Sequence, residues 1–245
     1  MGRKIKYIAL YVLCTALLSQ CKKPGCFKDA GGIILQQRLA KPFNRIDITG
    51  NINLVLTQDT TEKISVEGGE DILANIVTEI TDNVLTIKNT TTCKWLREPS
   101  EKITVYLSFR DLVRLNYNGS GNVTSTKKIM ADGITFYTDR GAGNIDIDLE
   151  AKRVYAYIYT DATDMVFRGR SDSCYVYTGE RGTIDFKNFI VKHQQVGYGS
   201  IRDGYVHATE SLNVIMYFKG RLFYKGAPLR ITTDYQSTGT IIPMP

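Results

Sequence analysis

Helical periodicity is nearly absent from this 245-residue chain. Only Glu70 to Thr78 places apolar residues (Ile72, Leu73, Ile76, Val77) at helical spacing, which predicts at most one short helix near residues 70–78. Proline is scarce at six, and charged residues make up 23%, which argues against a disordered chain. No Cys-x-x-Cys pair occurs, so that type of zinc or redox motif is absent. The two histidines, His193 and His207, lie far from any Gly-x-Ser-x-Gly elbow, which excludes a recognisable Ser/His or Cys/His nucleophile. Gly141-Ala142-Gly143 does not continue to a third glycine, since position 146 is Asp, and a strand rather than a helix follows; no phosphate cradle forms. No nine-residue calcium-binding repeat is present. The net charge is +6, yet Arg3, Lys4 and Lys6 account for three of it, and the remaining basic residues are scattered; nucleic acid is not an expected partner. No metal or cofactor is expected.

What is present begins with an address. Arg3, Lys4 and Lys6 precede an uncharged run from Tyr7 to Leu18, too short for the ~20 apolar residues of a comfortable span. Leu18-Ser19-Gln20-Cys21 resembles the lipobox of bacterial lipoproteins, with Gln20 departing from the small residue usual before the cysteine. The resemblance implies cleavage before Cys21 and lipid on its sulfur and new amine; an ordinary cleaved signal peptide or an uncleaved anchor are the alternatives. Residues 1–20 are thus read as a lipoprotein signal peptide, and residues 21–40, with Lys22-Lys23-Pro24-Gly25 and Gly31-Gly32, as a tether. Beyond Cys14 and Cys21, the cysteines are Cys26, Cys93 and Cys174. Cys174 alternates with Tyr175-Val176-Tyr177 and is expected to face inward as a free thiol; Cys26 with Cys93 is the one disulfide to entertain.

The rest, 41–245, reads as a single all-β domain. Arg45–Gly50, Asn53–Leu56, Val84–Ile87 and Lys102–Leu107 alternate apolar and polar residues as half-buried strands do. From residue 112 a unit of strand, small-residue turn and strand repeats. Gly121, Gly143, Thr163, Gly182, Gly199, Gly220 and Gly239 mark successive units, each about 20 residues beyond the last. A unit of about 20 residues cannot bury its apolar side alone, but units stacked ~4.8 Å apart share one core. This predicts a β-solenoid, or parallel β-helix, with glycine at the corners for positive φ and close backbone approach. An antiparallel sandwich, with turns every ~8–12 residues, is the alternative that the half-period leaves open.

Gly119-Ser120-Gly121-Asn122-Val123, Gly141-Ala142-Gly143-Asn144-Ile145-Asp146 and Gly197-Tyr198-Gly199-Ser200-Ile201 share a Gly-small-Gly-polar-aliphatic pattern, Tyr198 being the bulky exception. With Phe43-Asn44-Arg45-Ile46, Gly50, Asn53–Leu56 and Ile64–Gly68 in the same order, they resemble the putative auto-transporter adhesin, head GIN domain family, common among Bacteroidota-type lipoproteins. The resemblance covers roughly residues 40–225. It implies a right-handed β-helix and a cell-envelope location, outer-membrane-attached and facing the periplasm or the surface. It carries over no catalytic residue.

Tyrosine is over-used, with 15 in the chain. In Val154–Tyr159 and Cys174–Tyr177 the tyrosines fall on the face opposite the small and aliphatic residues. Tyr155, Tyr157, Tyr159, Tyr175 and Tyr177 therefore form a candidate outer binding surface, which Tyr137 and Tyr217 extend, suited to a glycan or an envelope protein. Lateral stacking that stiffens the sheet is the plainer role. Asp146 and Asp185 share an offset of three from Gly143 and Gly182, which would set them ~9–10 Å apart, at the edge of the spacing of an inverting glycosidase. The expectation is a membrane-tethered, non-catalytic β-helical binding module. A polysaccharide lyase or hydrolase and a scaffold that self-associates through its ends are the alternatives, and the oligomeric state is left open.

Overall fold

The computed structural model describes residues 31–91, 102–160 and 162–245. The signal segment, Cys21, Cys26, Cys93 and Asp161 lie outside the described residues.

The N-terminal third departs from simple repetition. It holds β1 (Ile33–Arg38), β2 (Arg45–Gly50), β3 (Asn53–Gln58), β4 (Lys63–Gly69), the single helical turn α1 (Glu70–Leu73), β5 (Ile76–Thr81), β6 (Val84–Asn89) and β7 (Thr104–Phe109). β2 and β3 are two sides of one coil. On one side of that coil β6 and β7 lie parallel to them, with Arg45 opposite Val84 and Asn53 opposite Thr104. On the other side lie β8 (Arg114–Gly119) and β9 (Asn122–Ser125), with Arg45 opposite Arg114 and Leu54 opposite Val123. β4 runs antiparallel to β7, β1 antiparallel to β4, and β5 antiparallel to β6. These antiparallel strands close one end of the stack.

β1 falls inside the stretch read as a tether. Its residues are almost all exposed, so backbone pairing with β4, rather than burial, makes it a strand. The helical spacing at Glu70–Thr78 is realised over only four residues. Ile72 and Leu73 are buried there, but the β-branched Ile76, Val77 and Thr78 pair with β6 as strand instead.

From β8 onward the solenoid is regular. β10 (Ile129–Thr138), β11 (Asn144–Ile158), β12 (Asp164–Thr178), β13 (Thr183–Tyr198) and β14 (Asp203–Met216) each run parallel to the next. The next coil is divided into β15 (Arg221–Lys225) and β16 (Arg230–Tyr235), both paired with β14, and β17 (Thr240–Pro243) begins one more by pairing with β15. Asn122, Asn144, Asp164 and Thr183 stack in register, one to a coil. Asp203, Arg221 and Thr240 continue the same column. The architecture is therefore the stacked-coil one, with about 20 residues per turn, and not a sandwich.

The register also sorts the marker residues. Gly121, Gly143, Thr163, Gly182, Gly220 and Gly239 each precede that column by one position and form one row. Gly199 does not belong to it. Arg202 takes that place, and Gly199 lies against Gly179 in a neighbouring row. None of the marker glycines has positive φ; among the described glycines that conformation is confined to Gly31, Gly50, Gly169 and Gly226. Where the row is glycine, close approach is the reason instead. A Cβ on Gly143 would overlap both the carbonyl oxygen of Gly121 in the coil below and the hydroxyl of Tyr117.

Inside, columns of buried side chains run across successive coils. Ile145, Met165 and Ile184 form one, and Val154, Cys174 and Gln194 another, all with 1% exposure or less. Cys174 is a buried free thiol, as the alternation implied. A bulge in β13 exposes Lys187 and Asn188 together and so turns both Phe186 and Phe189 inward. Phe167 stacks on Phe186 at 4.5 Å between centroids and meets Phe189 edge-on at 5.8 Å, with Phe136 at 4.8 Å on its other side. Each such ring contributes ~1.5–3 kcal/mol by burial.

Candidate functional site

The five tyrosines singled out by alternation do share one outer face. Tyr155 is paired with Tyr175 and Tyr157 with Tyr177, while Val154, Ala156 and Ile158 beneath them are buried. Tyr155 and Tyr159 are about 40% exposed; Tyr157, Tyr175 and Tyr177 are half-buried. Tyr137 and Tyr217 extend the array by contact. Tyr137 packs on Tyr157 at 6.5 Å and on Tyr159 at 5.4 Å, Tyr157 on Tyr175 at 5.6 Å, Tyr159 on Tyr177 at 5.3 Å, and Tyr177 on Tyr217 at 6.0 Å. These separations fall within the favourable range for aromatic pairs.

The array is continuous because its gap is covered. Gly197 stands where the next tyrosine of the column would be, and the rings of Tyr177 and Tyr217 lie over it, so that a Cβ there would sit 3.0–3.1 Å from both. At the other end the Arg114 guanidinium lies 5.3 Å from the centre of the Tyr137 ring. Arg114 is held by Asn116, at 2.6 Å, which in turn donates to Asp47, also at 2.6 Å. Burial among neighbouring rings, chiefly, raises the Tyr157 and Tyr175 hydroxyls above the ordinary tyrosine value. These two hydroxyls are thus protonated at neutral pH and available as donors and acceptors.

A second feature escaped the sequence reading. Where the long strands turn a corner, a groove of about 1020 Å³ runs across successive coils. Ala131, Ala151 and Ser171 line up along it, which keeps it deep. One wall is Asp132, Lys152, Asp172 and Lys192, paired 2.7 Å apart as Asp132–Lys152 and Asp172–Lys192. The other carries Met130, Glu150, Arg170 and Ile190. The signal was available: Asp132, Lys152, Asp172 and Lys192 recur once per coil with alternating sign. Hydrogen bonding to Lys152, Arg170 and Lys192, above all, lowers Asp132, Glu150 and Asp172 from the usual carboxylate values.

Asp146 and Asp185 stand two coils apart, both aligned with Val166, as their shared offset implied. They do not converge on an open site, because each is engaged. Arg168 binds Asp146 through both guanidinium arms, and the Lys187 ammonium lies 2.7 Å from Asp185. Among the described residues no group of three or more His, Cys, Asp or Glu is placed to hold a metal ion, and no helix is long and apolar enough to cross a membrane.

A solenoid of stacked coils carrying a continuous aromatic face on one side places the chain in the class of β-helical proteins. The chain belongs to the putative auto-transporter adhesin, head GIN domain family, whose profile matches residues 42–228. Solved structures share the fold. A putative adhesin from Bacteroides fragilis is 21% identical, with a TM-score of 0.77, covering 87% of this chain and 97% of that one. A putative adhesin from Parabacteroides distasonis is 17% identical, with a TM-score of 0.68, over 87% and 98%. A putative lipid binding protein from the same species is 17% identical, with a TM-score of 0.66, over 88% and 98%. No curated protein matches the chain.

Proposed function

We propose that this chain is a cell-envelope lipoprotein, anchored through Cys21, whose β-helix presents the tyrosine face for non-covalent binding to a glycan or an envelope protein. The family and its adhesin neighbours support association with the cell envelope or surface. The observation that carries the binding role is the unbroken contact from Tyr137 through Tyr157 to Tyr175, and through Tyr159 and Tyr177 to Tyr217, on a half-exposed face. Lateral stacking alone would be served by rings packed flat. Here Tyr155, Tyr159 and Tyr217 each keep about 40% of their surface open to solvent. A non-catalytic role is supported by the engagement of Asp146 and Asp185 with Arg168 and Lys187.

The test is a screen of the purified protein against glycans and envelope proteins, repeated with Tyr157→Ala/Tyr175→Ala. Loss of the captured ligand with unchanged folding supports the reading, and hydrolysis or lyase cleavage of a bound polysaccharide rejects it.

A further inference from the structure

Two strands with an open edge finish the stack, β17 on β15 and β16 on β14, and they are treated differently. β17 carries Pro243, which cannot donate to a neighbouring strand, so that edge is blunted. β16, Arg230-Ile231-Thr232-Thr233-Asp234-Tyr235, contains no proline and three β-branched residues, and all six of its residues are exposed. It pairs with β14 along one side only. Ile231, Thr233 and Tyr235 align with Leu212, Val214 and Met216, which are buried, so they belong to the inward columns. Tyr235 continues the column that contains Tyr117 and Tyr198, both fully buried, yet it is 53% exposed. Leu229, just before the other end of β16, is 93% exposed. Among the described residues nothing covers this end.

We propose that β16 is the contact between two copies of this chain, joined antiparallel about a two-fold axis through Thr232. The backbone limits the registers. The Gln236 amide donates to Met216 of β14, so even-numbered residues of β16 turn their amides and carbonyls toward β14 and odd-numbered residues turn theirs to the free edge. Antiparallel pairing of two such edges must place odd residues opposite odd ones, which centres the two-fold on a residue rather than between two. Centring it on Thr232 puts Arg230 opposite Asp234 of the second copy, and Asp234 opposite Arg230, two opposite-charge pairs in one step. These fall at non-hydrogen-bonded positions, where side chains stand closest. Ile231 then faces Thr233, and Leu229 faces Tyr235, covering the exposed inward residues. Arg230 makes no ion pair among the described residues, and Asp234 accepts only from Gln236 at 3.1 Å. The strand is therefore self-complementary in charge, which an isologous interface requires.

The experiment is sedimentation velocity on the full chain in mild detergent, with Arg230→Asp, Asp234→Arg and an equimolar mixture of the two. The expected result is a dimer for the unaltered chain and a loss of association of about tenfold or more for each variant alone, with dimer restored by mixing. Restoration on mixing shows that both variants are folded. Thr232→Cys is expected to yield a disulfide between the two introduced thiols, identified by peptide mapping, because paired residues at such a position stand ~4.5 Å apart at Cα. A monomer at the highest soluble concentration, open-ended growth, a dimer indifferent to both charge changes, or no such disulfide would overturn the proposal.

Discussion

Tyr198 reaches beneath its own turn and donates its hydroxyl to the carbonyl of Arg202, 2.8 Å away. The same device occurs at Tyr117, whose hydroxyl meets the carbonyl of Gly121 at 2.5 Å. Both acceptors sit in the row of residues that closes each coil, so a buried ring fills the core below the bend while its tip satisfies the bend's backbone. Tyr198→Phe keeps the ring and strands that acceptor. The expected cost is ~1–3 kcal/mol in urea unfolding; an unchanged midpoint would show that the bond contributes nothing.

Alkaline pH should weaken the fold for a definable reason. Burial pushes the Cys174 thiol up to about 12 from 9.0 and the Tyr198 hydroxyl up to about 12 from 10.0. Both groups therefore stay neutral in the folded chain at pH values where the unfolded chain ionises them. Their contribution is fully present below about pH 9 and is lost as pH rises toward 12, with ~2–3 kcal/mol attributable to Tyr198. Unfolding free energy measured from pH 8 to 11.5 should fall, and Cys174→Ala should remove the part that sets in between pH 9 and 10. A flat profile would contradict this.

The marker glycines answer to space, which makes their substitution costs unequal. Gly143→Ala sets a methyl group against the Gly121 carbonyl and the Tyr117 hydroxyl, and should destabilise by ~1–3 kcal/mol. Gly32 has no atom within 4 Å of the place a Cβ would take, so Gly32→Ala should leave stability unchanged or raise it by less than ~1 kcal/mol. Thermal melts of the two variants side by side decide it.

The anchoring proposal is tested apart from the fold. Cys21→Ser should move the protein from the detergent phase to the aqueous phase in a Triton X-114 partition, with unchanged circular dichroism. Retention in the detergent phase would reject lipid at Cys21.

Much of the solenoid was legible because its physics is periodic. A regular recurrence of turns with alternating side chains between them specifies coil stacking, and the phase of Val154–Tyr159 fixes which rings face out. What escaped follows from contacts that leave no local pattern. β1 is a strand through its backbone bonds to β4, so an exposed Ile33–Arg38 preceded by two glycines reads as linker. Gly199 satisfies the count but not the register, because Arg202 closes that coil. The groove was visible only as a once-per-coil recurrence of charge at Asp132, Lys152, Asp172 and Lys192, a pattern that hydrophobic periodicity does not weigh. The tyrosine face was readable in position, whereas the rings over Gly197 and the Arg114 contact with Tyr137 depend on side-chain packing across coils.

The most direct measurement is the affinity of the captured glycan or envelope protein for the unaltered chain and for Tyr157→Ala/Tyr175→Ala, with melting temperature and circular dichroism recorded on both. Removal of two adjoining rings from the centre of the array should weaken binding by about 30-fold or more while the coils remain folded. Equal affinity in the two proteins would mean that the tyrosines only brace the sheet, and the binding account would fail.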